Sequence, residues 1–169
     1  SQGLKVYNPS QLKNILNDRE DVVILVAAAL KEDEILSQLN KLAQFSKKRR
    51  LLVELYDIFL KPFGSVVKPV KRMPGQPVWH LYLVLIDFCE IGKSRGEVIK
   101  QLDAVGIGSQ VHYIPVHQQP YYEKLYGKQD MPGAEKYYDR CLSLPLHTNM
   151  EENHVRYVVE ALCLILNLQ

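Results

Sequence analysis

The sequence predicts an α+β fold within the α/β class: a small mixed or antiparallel sheet covered by helices, with an N-terminal β-α-β-α extension. Two patterns predict it. Continuous apolar runs at residues 22–28 and 79–87 are typical of strands buried in a sheet. Apolar residues at helical spacing between residues 33 and 60, and again between 155 and 166, are typical of amphipathic helices. The composition of the 169-residue chain, 47% hydrophobic and 24% charged, is that of a globular protein.

The predicted elements follow one another in an order that places helices over one sheet. The first long helix ends at Pro62 and Gly64, because proline cannot continue a helix. The later elements are an extended connection or edge strand (64–78), a central strand (79–87), a helix ending at Gly106, a strand (108–117), short helices (121–126 and 133–141), a brief edge strand (142–146) and a final helix.

Two capping boxes are predicted to start helices. In each, a serine or threonine is followed three residues later by a glutamate, so that each side chain satisfies a free backbone N–H. Ser94 with Glu97 begins a helix that turns Val98, Leu102 and Val105 inward. Thr148 with Glu151 begins the final helix.

Charge is nearly balanced over the whole chain but not along it. The formal net charge is +2, whereas residues 41–72 hold nine Lys or Arg and two acidic residues. The run at residues 47–50 lies in a helical pattern without the interleaved aromatic residues of a single-strand binder. A solvated helix face, a site for a phosphate-bearing small ligand and a nucleic-acid surface remain open, and we expect no nucleic-acid partner.

The sequence also predicts where the protein works. No apolar run is long enough for a membrane span, and the first twenty residues contain no signal-peptide core. Three cysteines without close spacing suit a reducing compartment. We therefore expect a cytoplasmic protein without a membrane partner.

Residues 112–122 hold the densest group of polar and aromatic side chains, namely two imidazoles, two amides and three phenols interrupted by two prolines. Such a composition predicts a strand that ends in a rigid loop able to contact a polyhydroxylated or nucleotide ligand. The alternative is a proline-stiffened loop whose tyrosines complete the rim of a core. A metal site is not predicted, because Pro115 prevents a helical pairing of His112 with His117.

No nucleophilic or phosphate-cradling motif accompanies this loop. Ser109 and Ser143 lack a glycine-flanked elbow, and the chain contains neither GxGxxG nor a P-loop. We accordingly predict no catalytic, cofactor-binding or metal-binding residue in the chain.

Four motifs carry a family resemblance: WHLY at 79–82, HYIPVH at 112–117, QPYY at 119–122 and LSLPL at 142–146. Through them, residues 39 to about 166 resemble the C-terminal small domain of the DegT/DnrJ/EryC1/StrS family of PLP-dependent sugar aminotransferases. Within the family, the motifs look most like the branch that makes 4-amino-4,6-dideoxy UDP-sugars for surface glycans.

The resemblance implies a chemistry and a site. Members of the family pass the amino group of L-glutamate through PLP to a 4-keto-6-deoxy nucleotide sugar. Their active sites lie at a homodimer interface, and the small domain supplies part of the sugar-nucleotide pocket. The residues that it implies for substrate binding here are His112, Tyr113, His117, Gln119 and Tyr121, with Tyr121 stacking and the imidazole and amide groups forming hydrogen bonds.

The sequence departs from the family because it holds no counterpart of the large PLP-binding domain or its Schiff-base lysine. We therefore expect residues 39–169 to be the small domain of a truncated or split aminotransferase that does not bind PLP and is inactive alone, working with a large-domain chain or as a homodimer. The alternative is a non-catalytic module for sugar-nucleotide binding or assembly. Residues 1–38 are similar to the N-terminal region of polysaccharide-biosynthesis dehydratases, or are a generic β-α-β-α fragment.

Overall fold

The computed structural model describes residues 32–75 and 77–168. Contacts between residues divide the chain into two units, Ser1–Leu42 and Ala43–Gln169. In the first unit, the described residues are helical. The strands and helix predicted for residues 1–28 lie outside the described residues, and the predicted domain boundary at residue 38 stays a prediction.

The described elements alternate helices with short strands. In chain order they are α1 (Glu32–Leu60), a 3-10 turn (Lys61–Phe63), β1 (Val67–Pro69), β2 (Tyr82–Ile86), α2 (Phe88–Ile91), α3 (Arg95–Ala104), a 3-10 turn (Val116–Gln118), α4 (Pro120–Tyr126), α5 (Pro132–Arg140), β3 (Cys141–Leu144) and α6 (Glu152–Ile165).

The sheet is antiparallel, in the order β1-β2-β3. Tyr82 pairs with Leu144 and Ile86 with Val67, so β2 is hydrogen-bonded on both sides. The predicted mixed α/β fold with an antiparallel sheet is therefore confirmed. The central strand is shorter than the predicted 79–87, and the predicted edge strands lie at 67–69 and 141–144.

One face of the sheet packs on the core. Tyr82, Val84 and Ile86 alternate along β2 and are buried, as their period of two requires. Against them pack buried residues from α1, α3 and α6: Leu52, Tyr56, Leu60, Val98, Leu102, Val155, Val159 and Leu162. The strand β2 also lies close to α5.

The first predicted capping box is confirmed. The Ser94 hydroxyl accepts from the N–H of Glu97, and the Glu97 carboxylate accepts from the N–H of Ser94 at 2.7 Å. Val98 and Leu102 are buried as predicted, whereas Val105 is 44% exposed. The prediction for Val105 was wrong because α3 ends at Ala104, and Gly106 takes a left-handed φ of 78° that turns the chain away.

The second predicted capping box is wrong in its position. The N-cap of α6 is Glu151, not Thr148. His154 Nδ1 accepts from the N–H of Glu151 at 2.9 Å, so the reciprocal bond comes from an imidazole three residues into the helix.

The strand predicted at 108–117 is also wrong. Within it, Gln110 alone pairs with β3, through two backbone hydrogen bonds with Ser143 of 3.3 and 2.8 Å. Beyond this bridge the chain leaves the sheet edge and passes through Pro115 into the 3-10 turn. Proline has no N–H to donate to a strand ladder, so Pro115 does not continue the predicted strand.

Candidate functional site

The candidate site is the segment of residues 112–126, here called the aromatic segment. Its shape follows from its prolines. Pro115 is the N-cap of the 3-10 turn, and Pro120 occupies the first turn of α4, where its missing N–H is not needed. Gly127, at a φ of 72°, ends α4. Two short helical pieces therefore present the aromatic side chains from fixed backbone positions.

His117 is tied to the neighbouring helix α5. Its Nε2 lies 3.1 Å from Oε1 of Glu135, and only 7% of its side chain is exposed. The same Glu135 oxygen accepts from the N–H of Met131 at 3.3 Å. The hydrogen bond from His117, and then that from Met131, lowers the pKa of Glu135. The sequence prediction named His117 but missed Glu135, because the two are 18 residues apart and share no periodic pattern.

His112 and Gln119 are also partly engaged inside the segment. The His112 ring lies edge-on to Tyr113 with 4.6 Å between centroids, and its Nδ1 is buried without a hydrogen-bond partner in the described part of the chain. Gln119 Nε2 lies 3.4 Å from the carbonyl oxygen of Ile114, to which it donates. Both side chains therefore face the segment's own backbone and rings.

Tyr113 and Tyr121 are the solvent-exposed residues among the five predicted for substrate binding. Tyr113 is 72% exposed and Tyr121 is 70% exposed. Tyr121 contacts Tyr122 edge-on at 5.2 Å, so its orientation is supported by a second ring. The structure thus places the five predicted residues in one segment, with Tyr113 and Tyr121 largely exposed and the other three half-buried.

The aromatic segment and the turn after it expose an unusual amount of apolar side chain, here called the exposed apolar surface. Its members are Tyr113, Ile114, Val116, Tyr121, Tyr122, Leu125, Tyr126 and Met131. Isolated exposed apolar residues are ordinary, whereas a dense group of them marks a site of interaction.

The basic segment at residues 41–72 makes internal contacts. Lys48 pairs with Glu151 at 2.8 Å, and Arg49 donates to the carbonyl oxygen of Trp79 at 3.2 Å. Arg72 forms a two-pronged ion pair with Asp57 and lies 4.8 Å from the centre of the Trp79 ring. Part of the positive charge is therefore used in contacts between α1 and other parts of the fold. The prediction of a solvated helix face did not include these contacts.

None of the described lysines is buried. A PLP site needs a lysine held beside the cofactor ring. The described lysines are exposed or half-buried, and the half-buried ones are committed: Lys48 to Glu151, and Lys93 to the carbonyl oxygen of Ile165. Within the same residues, no group of three or more His, Cys, Asp or Glu is placed to hold a metal ion.

The helices of the described residues, 32–75 and 77–168, are short or polar compared with a membrane span. None of them is both long enough and apolar enough to cross a membrane.

The chain belongs to the DegT/DnrJ/EryC1/StrS aminotransferase family, which matches residues 26–163. The spore coat polysaccharide biosynthesis protein SpsC of Bacillus subtilis is 38% identical over 129 residues, covering 75% of this chain and 33% of SpsC. The family predicted from the sequence motifs is confirmed.

Solved structures agree with this assignment. Helicobacter pylori PseC, an aminotransferase involved in the biosynthesis of pseudoaminic acid, shares 26% identity at a TM-score of 0.71 over 78% of this chain and 35% of PseC. Spr1654 of Streptococcus pneumoniae in its PLP-form shares 28% identity at a TM-score of 0.66, over 78% of this chain and 34% of its own. The chain spans about a third of the length of these relatives.

Proposed function

We propose that this chain forms the small, substrate-side domain of a PLP-dependent aminotransferase. The reaction transfers the amino group of L-glutamate to a 4-keto-6-deoxy nucleotide sugar used for surface polysaccharides or glycans. The PLP-binding groups belong to a large domain outside the described residues. Bound there, PLP supplies the electron sink for amino-group transfer.

One observation carries the proposal: the aromatic segment lies inside the family match and presents two largely exposed tyrosines. Tyr113 and Tyr121 offer flat apolar faces that bury part of a sugar or base, and phenol groups that form hydrogen bonds at its edge. The half-buried His112 and Gln119 lie in the same segment and offer imidazole and amide groups to the ligand, while His117 is bonded to Glu135.

The exposed apolar surface supports a further part of the proposal. Tyr113, Tyr121 and their apolar neighbours are suited to contact the large domain or a second copy of the chain, since interface centres are rich in aromatic side chains. A nucleotide sugar enclosed at such a contact is shielded from water on its second side. This chain's share of the work is binding and orienting the sugar.

The cellular setting belongs to the same proposal. Cys89, Cys141 and Cys163 are free, and Cys89 is exposed. Free thiols persist in a reducing compartment, which supports a cytoplasmic location.

The alternative function, a non-catalytic module for sugar-nucleotide binding or assembly, uses the same exposed tyrosines and needs no lysine beside a cofactor. The two functions differ in activity. We expect the 169-residue chain, given PLP and L-glutamate, to form no 2-oxoglutarate. When it is mixed with the PLP-binding domain of a related aminotransferase, formation of 2-oxoglutarate that depends on the nucleotide sugar supports the enzyme; continued inactivity supports the module.

Binding itself is tested by nuclear magnetic resonance with a UDP-linked 4-keto-6-deoxy sugar. We expect shift changes concentrated in residues 112–122 and an affinity reduced about tenfold in Tyr121→Ala, the loss of one aromatic contact of about 1.4 kcal/mol. Tyr157→Ala is the control for loss of a partly exposed tyrosine outside the segment; its hydroxyl donates to the carbonyl oxygen of Val105, so the spectrum of the variant also checks its fold. An unperturbed aromatic segment, or equal losses in both variants, would contradict the proposed site.

A further inference from the structure

The link between His117 and Glu135 joins two elements that carry different parts of the site. His117 lies in the 3-10 turn Val116–Gln118, and Glu135 lies in the first turn of α5. The Nε2–Oε1 distance of 3.1 Å is that of a hydrogen bond, and its acceptor is a charged carboxylate. Because only 7% of the His117 side chain is exposed, this bond is largely screened from water on the histidine side.

From His117 the connection continues to both open tyrosines. Gln119, two residues on, donates through its side chain to the carbonyl oxygen of Ile114, next to Tyr113. The carbonyl oxygen of Gln119 accepts from the N–H of Glu123 at 3.0 Å and so begins α4, which carries Tyr121. The 3-10 turn also packs against α4. Fixing His117 therefore fixes the backbone on both sides of it.

We propose that Glu135 is a positioning residue for the sugar-nucleotide site: its carboxylate holds His117, and through the turn it sets the spacing and direction of Tyr113 and Tyr121. This inference rests on the proposed function for its ligand. It also changes the role of His117, whose Nε2 is committed to Glu135 and whose contribution to the site is to anchor the segment.

The experiment uses the full chain and three variants. Glu135→Ala removes the acceptor, Glu135→Gln keeps an oxygen acceptor without the charge, and Asp139→Asn changes an exposed carboxylate on the same helix to an amide. The first readout is amide hydrogen exchange and tyrosine ring resonances of residues 112–122. The second is affinity for the UDP-linked 4-keto-6-deoxy sugar.

We expect Glu135→Ala to speed exchange in residues 112–122 and to lower affinity about tenfold, a size typical of losing one charge-assisted hydrogen bond. Glu135→Gln restores most of the exchange protection and part of the affinity, and Asp139→Asn matches the unchanged protein. Rescue by glutamine separates positioning from a general loss of stability, which would speed exchange in β2 as well.

Two results overturn the inference: unchanged exchange and ring resonances in Glu135→Ala, or losses in Glu135→Ala that spread evenly over the whole domain. The affinity measurement tests the proposed function separately. If the unchanged protein does not bind the nucleotide sugar, the proposed function fails, while the exchange data still decide whether Glu135 holds the aromatic segment.

Discussion

Tyrosines have opposite roles in the sheet core and in the aromatic segment. Tyr56 and Tyr82 stack with 4.4 Å between ring centroids, and both are almost completely buried. Their hydroxyls are satisfied, Tyr56 by the carbonyl oxygen of Pro145 at 2.8 Å and Tyr82 by Asp57 at 2.7 Å. In the aromatic segment, Tyr113 and Tyr121 face solvent. Tyrosines in the core therefore stabilise the fold, and those in the segment remain available to a ligand or partner.

The largest effect that tests this contrast is on the free energy of unfolding. Tyr82→Ala removes a buried ring, its stacking contact with Tyr56 and its hydrogen bond to Asp57. We expect a loss of about 4 kcal/mol, the range for large aromatic-to-alanine changes in cores. Tyr121→Ala removes an exposed ring, and we expect a change within about 0.5 kcal/mol. Urea unfolding followed by circular dichroism measures both.

Losses of similar size in Tyr82→Ala and Tyr121→Ala would break the contrast between core and segment. Tyr82→Phe refines it, because phenylalanine keeps the ring and removes the hydroxyl that donates to Asp57. We expect an intermediate loss for this variant, about 1–2 kcal/mol, since a hydrogen bond to a charged group is stronger than a neutral one.

A second contrast separates the two predicted helix starts. Ser94→Ala removes the serine oxygen that caps α3, and we expect a loss of about 1 kcal/mol of stability. Thr148→Ala is the matched variant at the position where the sequence predicted a cap and the structure has none. We expect its change to stay within about 0.5 kcal/mol. Equal losses, measured by the same urea unfolding, would restore Thr148 as a cap.

The elements of the core were predictable because burial leaves a periodic trace. The helix at 33–60 was predicted within one residue of α1, and the strand at 79–87 contains β2. Short helices predicted at 121–126 and 133–141 were confirmed as α4 and α5; proline begins both, and Gly127 ends α4. In each case the signal lies within a few neighbouring residues.

The aromatic segment was predictable in composition and not in conformation. Its five candidate residues lie together because they are close in the chain. The strand predicted at 108–117 was wrong because this stretch pairs with β3 only at Gln110. Pro115 then begins the 3-10 turn Val116–Gln118. Glu135 could be recognised only from a contact in space, as could the pairs Arg72–Asp57 and Lys48–Glu151.

The smallest predicted effect concerns the surface pair of Lys48 and Glu151 at the start of α6. The hydrogen bond from Lys48 lowers the pKa of Glu151 below its usual value of 4.5 in the folded protein. The unfolded chain therefore binds this proton more readily, and the pair stabilises the fold above about pH 4.5, the usual value of this carboxyl. That contribution is lost as the pH falls through the lowered folded pKa.

We expect Glu151→Gln and Lys48→Met each to weaken the pH dependence of the free energy of unfolding in urea below about pH 4.5, and by similar amounts. Because the pair is solvent-accessible, the difference from the unchanged protein should shrink in high salt. A weaker pH dependence in Glu151→Gln alone would show that Lys48 is not its cause, and that the N-terminal N–H groups of α6 hold this carboxylate instead.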